Sequence, residues 1–460
     1  MSESTSVAKS RIGLWQAVSL AVGTMIGASI FSIFGLGAKI AGNNLPLVFL
    51  ISGMVSLFVA YSYAHLGARI ISDAGPMEFI LKGIGDNLLT GALSFLFWFS
   101  YVVSIALFAK GFAGYFLPLF HLPADALRMG LCEFGVILVF TVLGALGSSA
   151  VGRAELAIVL IKLSILGLFI VLGIWSIQPQ RITPDFDAHG VRDILNATAI
   201  FFLSYMGFGL VTNASENMID PQRNVPRAIY ISILVVTIVY ILVAAVAVGN
   251  LPLPELIQAR DNALAVAAKP FLGQLGYLLV AVGALISIAS AINATLFGGA
   301  NVAFALARDG ELPRIFERKV WFGAIGGLYL TAGLSLVFAL SFNLNGIASI
   351  TSSVFMVVYL FVLFSHWRMR QRYGGHAVII GLGFIVIACV FGLLLHYQWQ
   401  TDREAFYGTW VTIGASLFIE LAYRAISQRG FVEREVSLLK NDAERYERKP
   451  RRYSARLRER

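Results

Sequence analysis

Lys162 stands in AELAIVLIKLSILGLFIVLG, an apolar run in which it lies seven residues, roughly 10 Å along a helix, beyond Glu155. An ammonium at mid-helix in a membrane costs roughly 2.5 to 3.5 kcal/mol, so such a group pairs or faces a cavity. Its chemistry is to hold a positive charge against an acceptor or to carry a proton. Two glycine pairs offer a different chemistry. GTMIGASIF, Gly23 to Phe31, contains Gly23 and Gly27, and FFLSYMGFGLVTNASENM, Phe201 to Met218, contains Gly207 and Gly209 amid Ser204, Thr212, Asn213 and Ser215. Glycine weakens a helix, and backbone groups freed by unwinding find no partner in lipid, so they must face water or a ligand. The positive end of a half-helix suits a carboxylate, while loose carbonyls suit an ammonium or a metal cation. A zwitterionic amino acid brings both partners.

The elements that position these groups are membrane spans. The 460 residues are 58% hydrophobic and 13% charged, with a mean hydropathy of +0.77, whereas soluble domains are about one quarter charged. Twelve apolar runs follow one another at 13–40, 46–71, 88–119, 130–149, 154–177, 192–219, 226–249, 274–306, 322–342, 346–367, 377–396 and 406–425. Each suffices to cross about 30 Å of hydrocarbon. The expected fold class is all-α integral membrane, with a cytoplasmic amino terminus at 1–12, a membrane domain at 13–426 and a basic cytoplasmic tail at 427–460.

MSESTSVAKSR is polar, and the run after it is too long for a signal-peptide core, so no cleavable signal is expected. Arg69, Lys82, Arg223, Arg227, Arg308, Arg314, Arg318 and Arg370 all fall on the side of the amino terminus. The positive-inside rule then places both termini in the cytoplasm and the chain in the cell membrane. The net charge of +9 is concentrated in the tail RKPRRYSARLRER, directly after a span, which reads as attraction to anionic lipids rather than nucleic acid. Cys132 and Cys389 have no metal-ligand spacing, and the sequons at Asn196, Asn213 and Asn293 lie in or beside spans as chance matches. No H-E-x-x-H, G-x-S-x-G or phosphate-loop pattern occurs, so neither an enzyme nor a cofactor is expected.

The two glycine pairs fall in spans one and six, five apart, the equivalent positions of two five-helix halves. Gly23 and Gly27 alone also fit close helix packing. Interrupted helices in matching halves, however, point to a binding site at the centre of a transporter.

GTMIGASIF resembles the first-span signature of the amino acid–polyamine–organocation permeases, G-x-x-I-G-x-G-I-F. YMGFG with ENMIDPQRNVPRAI resembles their sixth span and following loop, and ALARDGELP their sequence after span eight. The likeness runs from about 12 to 425. It implies the five-plus-five inverted repeat of leucine-transporter type with broken helices 1 and 6, two extra helices, and alternating access. It also implies a substrate carboxylate at the backbone of Thr24, Met25, Ile26, Gly27 and Ala28, and a substrate ammonium at carbonyls around Phe202, Leu203 and Met206, with Tyr205 and Phe202 as gates. Two positions depart from the pattern. Ser29 replaces the second glycine of span one, and Gly209 replaces an acidic residue common in span six, which favours neutral cargo.

In the same resemblance span five packs beside spans one and eight, where sodium-coupled relatives hold their ion. Lys162 is expected to replace that ion, with the Gly23 carbonyl and the Ser287 and Ser290 hydroxyls as acceptors, and to carry the transported proton. Titration near neutral pH requires burial or repulsion to cost its ammonium roughly 4 kcal/mol. Lys110 is expected to reach headgroups or a vestibule, and Glu216 to form a solvated pair with Arg223 or Arg227. The expected function is proton-coupled uptake of neutral amino acids. Amino acid/amine exchange and inorganic-cation (potassium) permeation on the same fold stay open as alternatives.

Overall fold

The computed structural model describes residues 12–427 except 28, 73, 147–150, 309–311 and 322–323. The tail from 428 and the first eleven residues lie outside the described residues. The described chain is almost wholly helical. Eleven stretches are long and apolar enough to cross a membrane, and the 16-residue helix Gly326–Ser341 supplies a shorter twelfth.

Four of the spans begin where a side chain caps the first turn, a contribution of about 1 kcal/mol each. Asn87 accepts from the Thr90 amide and starts span three (Leu88–Leu119). Asp125 accepts from the Arg128 amide at 2.9 Å, so span four (Ala126–Ala145) begins earlier than its apolar run at 130. Asp187 caps span six from Ala188, and Asn343 caps span ten (Leu344–Tyr373). Polar caps extend a helix past the hydrophobic stretch that reveals it. Short helices in the connections, Pro76–Ile84, Leu253–Gln258 and Ala263–Ala267, are too brief for a hydropathy reading to find.

Span three is the central post, with 94% of its apolar window buried inside the protein, against 22% for span four, whose Leu131, Val139 and Leu143 face outward as lipid-contacting residues do. Span two (Leu45–Gly67) packs along span seven (Pro221–Asn250), span three along span eight (Lys269–Arg308), and span five (Val151–Gly173) against spans one and eight. Spans one and six lie side by side in the middle.

Both lose α-helical winding there, by different means. In span one the helix Leu14–Met25 stops, Ile26 and Gly27 form a turn, and the chain resumes as Ser29–Ser32 and Phe34–Ala41. In span six the α-helix Ala188–Phe201 tightens into a 3-10 helix over Phe202–Gly209, then continues as Leu210–Asn213. Ahead of span one, Ile12 pairs with the end of span six, its amide donating to the Asn217 carbonyl at 2.8 Å and its carbonyl accepting from the Ile219 amide at 2.9 Å.

Candidate functional site

The break in span one strands carbonyls that the helix no longer uses, and side chains of three other spans take them up. The Lys162 ammonium, 1% exposed, donates to the Gly23 carbonyl at 2.6 Å. The Ser287 hydroxyl of span eight lies 2.9 Å from the Ile26 carbonyl and 2.8 Å from that of Gly27, its single proton serving one at a time. The Tyr240 hydroxyl of span seven donates to the Met25 carbonyl and lies 3.1 Å from Ser29 Oγ and 3.4 Å from the Ser204 carbonyl of span six. Ser29 itself donates back to Met25 at 2.7 Å. Hydrogen bonds to a charged donor are stronger than neutral ones, so Lys162 is the firmest of these supports.

Close approach fixes the two spans. A Cβ built on Gly27 meets Ala291 Cβ of span eight at 2.7 Å, and one on Gly207 meets the Met25 amide nitrogen at 2.8 Å. Only glycine lets spans one, six and eight come this near. Gly209, by contrast, faces the Tyr63 ring with ordinary clearance, 3.4 Å from its Cβ position.

Between spans one, three, six and ten lies a cavity of about 70 Å³. Thr24, Met25 and Ser29 line it from span one, Leu203, Met206 and Gly207 from span six, and Tyr101, Ser104, Phe108, Thr295, Thr351 and Tyr359 from the scaffold around them. Among the described residues that line it there is no Asp, Glu, Lys, Arg or His. Two polar groups beside it are buried without a hydrogen-bond partner among the described residues: Ser204 Oγ and both atoms of the Asn213 amide. Buried polar groups are ordinarily paired, so this is hydrogen-bonding capacity next to an open space.

The residues singled out from sequence divide into three groups. Thr24, Met25, Leu203 and Met206 line the cavity. Gly23, Ile26, Gly27, Lys162 and Ser287 form the bonded cluster behind the break, with Ser290 three residues along from Ser287 on the same helix. Phe202 and Tyr205 sit off the cavity. The Tyr205 hydroxyl donates to the Phe49 carbonyl at 2.7 Å, and the Phe202 ring packs edge-on against Tyr359 at 5.8 Å. Tyr359, against which Phe202 packs, does line the cavity. Ala28 lies outside the described residues.

Two further expectations need correcting. Lys110 does not reach for headgroups but holds the buried Glu133 at 3.2 Å. Glu216 forms no ion pair with Arg223 or Arg227 among the described residues, because the turn Ser215–Asn217 ends in an extended Met218 that joins Ile12 instead. Sequence reasoning also missed Tyr240 and Thr351. A lone tyrosine in the apolar TIVYILVAAVAV was the available signal for the first.

Comparison with known proteins agrees with this architecture. The family described as amino acid permease matches residues 12–417. An uncharacterized protein of Methanocaldococcus jannaschii is 59% identical over 92% of this chain and 97% of its own. An inner membrane transport protein of Escherichia coli, YbaT, is 34% identical over 91% and 96% of the two chains. A methylthioribose transporter of Bacillus subtilis is 30% identical over 69% and 71%. Taken with twelve spans whose first and sixth lose their α-helical winding side by side, these likenesses make the chain a multi-pass membrane transporter, not an enzyme, and a member of the amino acid permease family.

Proposed function

We propose that the protein takes up neutral amino acids by alternating access and that Lys162 carries the coupling proton. The observation that supports this best is the Lys162 ammonium on the Gly23 carbonyl, buried behind the break where a coupling cation is needed. When charged, it binds span one to span five. When it gives up its proton it keeps a donor N–H but loses the charge that makes the bond strong, so the first half of span one is free to shift.

The cargo reading rests on the family and on the cavity. The described residues of its lining carry no charge, so a cargo side chain that is itself charged would be buried against them unpaired, at high cost. The zwitterionic end suits Thr24 and Met25 of span one and Leu203 and Met206 of span six, which line the cavity, while Tyr101, Phe108 and Tyr359 offer an apolar wall. A potassium route is disfavoured because an alkali cation asks for clustered oxygen ligands and the lining is mainly apolar. The methylthioribose transporter keeps a second neutral cargo class in view: a small polar molecule with an apolar tail.

The distribution of arginines favours both termini in the cytoplasm of the cell, with the basic tail on anionic lipids. Uptake into proteoliposomes against a panel of labelled amino acids, with proton and sodium gradients imposed separately, tests cargo and coupling together. The expected result is accumulation of a neutral amino acid driven by the proton gradient alone and lost in Lys162→Ala. Accumulation by Lys162→Ala at the parental rate under a pH gradient removes the proton-carrier role, and strict one-for-one exchange without any gradient favours an exchanger.

A further inference from the structure

A second ionised cluster lies apart from the break in span one and owes nothing to the role of Lys162. Lys110 of span three pairs with Glu133 of span four at 3.2 Å, with 16% and 1% of the two side chains exposed. Glu133 uses one oxygen for this bond, and the other, Oε2, is buried with no hydrogen-bond partner among the described residues. A second carboxylate, Asp261, comes from the connection between spans seven and eight and feels the same ammonium. Its burial pushes its carboxyl above the usual range, against the pull of Lys110 and then of Arg260.

The other titratable groups packed around the cluster do not balance it. Arg260 is exposed and solvated. The Tyr115 hydroxyl of span three donates to the Phe31 carbonyl at 3.1 Å, and Tyr277 of span eight accepts from Asn262 at 3.3 Å with the Lys269 ammonium 4.7 Å above its ring. Cys132 adjoins Glu133 on span four, and Arg128 is engaged with Asp125 at 3.1 Å. Two carboxylates thus share one sheltered ammonium. An excess buried negative charge with an unpaired oxygen is costly, and one proton cancels it.

The cluster also sits where a piece of backbone is clamped. A Cβ on Gly114 of span three would come within 2.4 Å of Asp261 Cβ, and one on Gly35, in the second half of span one, within 2.1 Å of the Arg260 carbonyl oxygen. Arg260 is in the left-handed region at φ +49°, a conformation that a non-glycine residue keeps only when its surroundings impose it. The connection is therefore wedged between spans one and three, with Asp261 at its tip. Among the described residues Lys110 makes its ion pair with Glu133, not with Asp261.

We propose that Glu133 is a proton-binding site, and that taking up one proton there transfers the Lys110 ammonium from Glu133 to Asp261, which locks this wedge onto spans one and three. The proton comes from water on the wedge's side of the membrane and returns there. Loss of the proton draws Lys110 back to Glu133 and frees the wedge.

Two measurements on the full chain in nanodiscs, between about pH 5 and about pH 8, test this. Infrared difference spectra follow the carbonyl stretch of a protonated carboxyl, and hydrogen exchange of residues 259–263, normalised to an unstructured peptide, follows the wedge. The expected result is a carboxyl band that Glu133→Gln removes and Asp261→Asn keeps. Wedge exchange should slow on the acid side in the parent, stay slow throughout in Glu133→Gln, and lose its pH response in Asp261→Asn. A band unchanged by Glu133→Gln, or a wedge response unchanged by it, overturns the proposal. Should Glu133→Gln not fold, Glu133→Asp must shift the midpoint of the band, and an unshifted midpoint is equally fatal.

Discussion

In span one the α-helix stops at Met25, and the carbonyls left behind are taken by Lys162, Tyr240 and Ser287 from spans five, seven and eight. In span six the chain stays wound, tightening to 3-10 over Phe202–Gly209, so that most of its bonds stay within the segment. Outside help is mostly longer and comes from neutral hydroxyls alone: those of Tyr359, Tyr240 and Ser52 reach the Met206, Ser204 and Thr198 carbonyls at 3.4 Å each, and Ser352 donates to the Ala199 carbonyl at 2.8 Å. A fully opened turn depends on its neighbours, and a neighbour that changes protonation can release it. A tightened helix depends mainly on itself and changes less when a neighbour moves. On the proposed function, that difference makes span one the switch and span six the steadier wall.

Substitutions can sharpen this contrast. Gly207→Ala forces a methyl to within 2.8 Å of the Met25 amide nitrogen, where the obstacle is backbone and cannot turn aside. Overpacking of this kind costs about 1–3 kcal/mol, and uptake should be abolished with a lowered melting temperature in the same preparation. Ser287→Ala comes next, because it leaves the Ile26 and Gly27 carbonyls short of a donor at a cost of about 1–3 kcal/mol. Its signature should be weaker cargo binding, measured by calorimetry, together with faster hydrogen exchange at residues 25–29.

Tyr359→Phe removes a long hydrogen bond to span six, so a loss at the lower end of about 0.5–1.5 kcal/mol is expected, read as a small rise in the transport KM. Gly209→Ala should be the mildest, because its Cβ has 3.4 Å to the Tyr63 ring. An unchanged or slightly raised melting temperature is the expected outcome, with any change in uptake confined to the transport KM because Gly209 also lines the cavity. If Gly209→Ala is as damaging as Gly207→Ala, the contrast between a contact glycine and a spare one fails.

The sequence exposed these features unevenly, for physical reasons. The spans were legible because lipid demands long apolar runs, yet the starts of spans four and six were not, because Asp125 and Asp187 extend them with caps outside those runs. Lys162 stood out as a charge in an apolar helix. The glycines of span six pointed to a loss of regular helix there, but not to its form, since tight winding and unwinding leave similar traces in composition. Tyr240 and the pairing of Lys110 with Glu133 were hidden for a common reason. Each joins residues from different spans, and one sequence without pairing information does not say which spans touch.

On the proposed function, the Lys162 ammonium on the Gly23 carbonyl is the group whose proton moves with the cargo. The most direct measurement is the change in bound protons when cargo is added to purified protein in weakly buffered solution, followed with a pH indicator, for the parent and for Lys162→Gln. The expected result is a change approaching about one proton per chain near neutral pH in the parent, and none in a Lys162→Gln variant that still binds cargo. An equal proton change in that variant would contradict it.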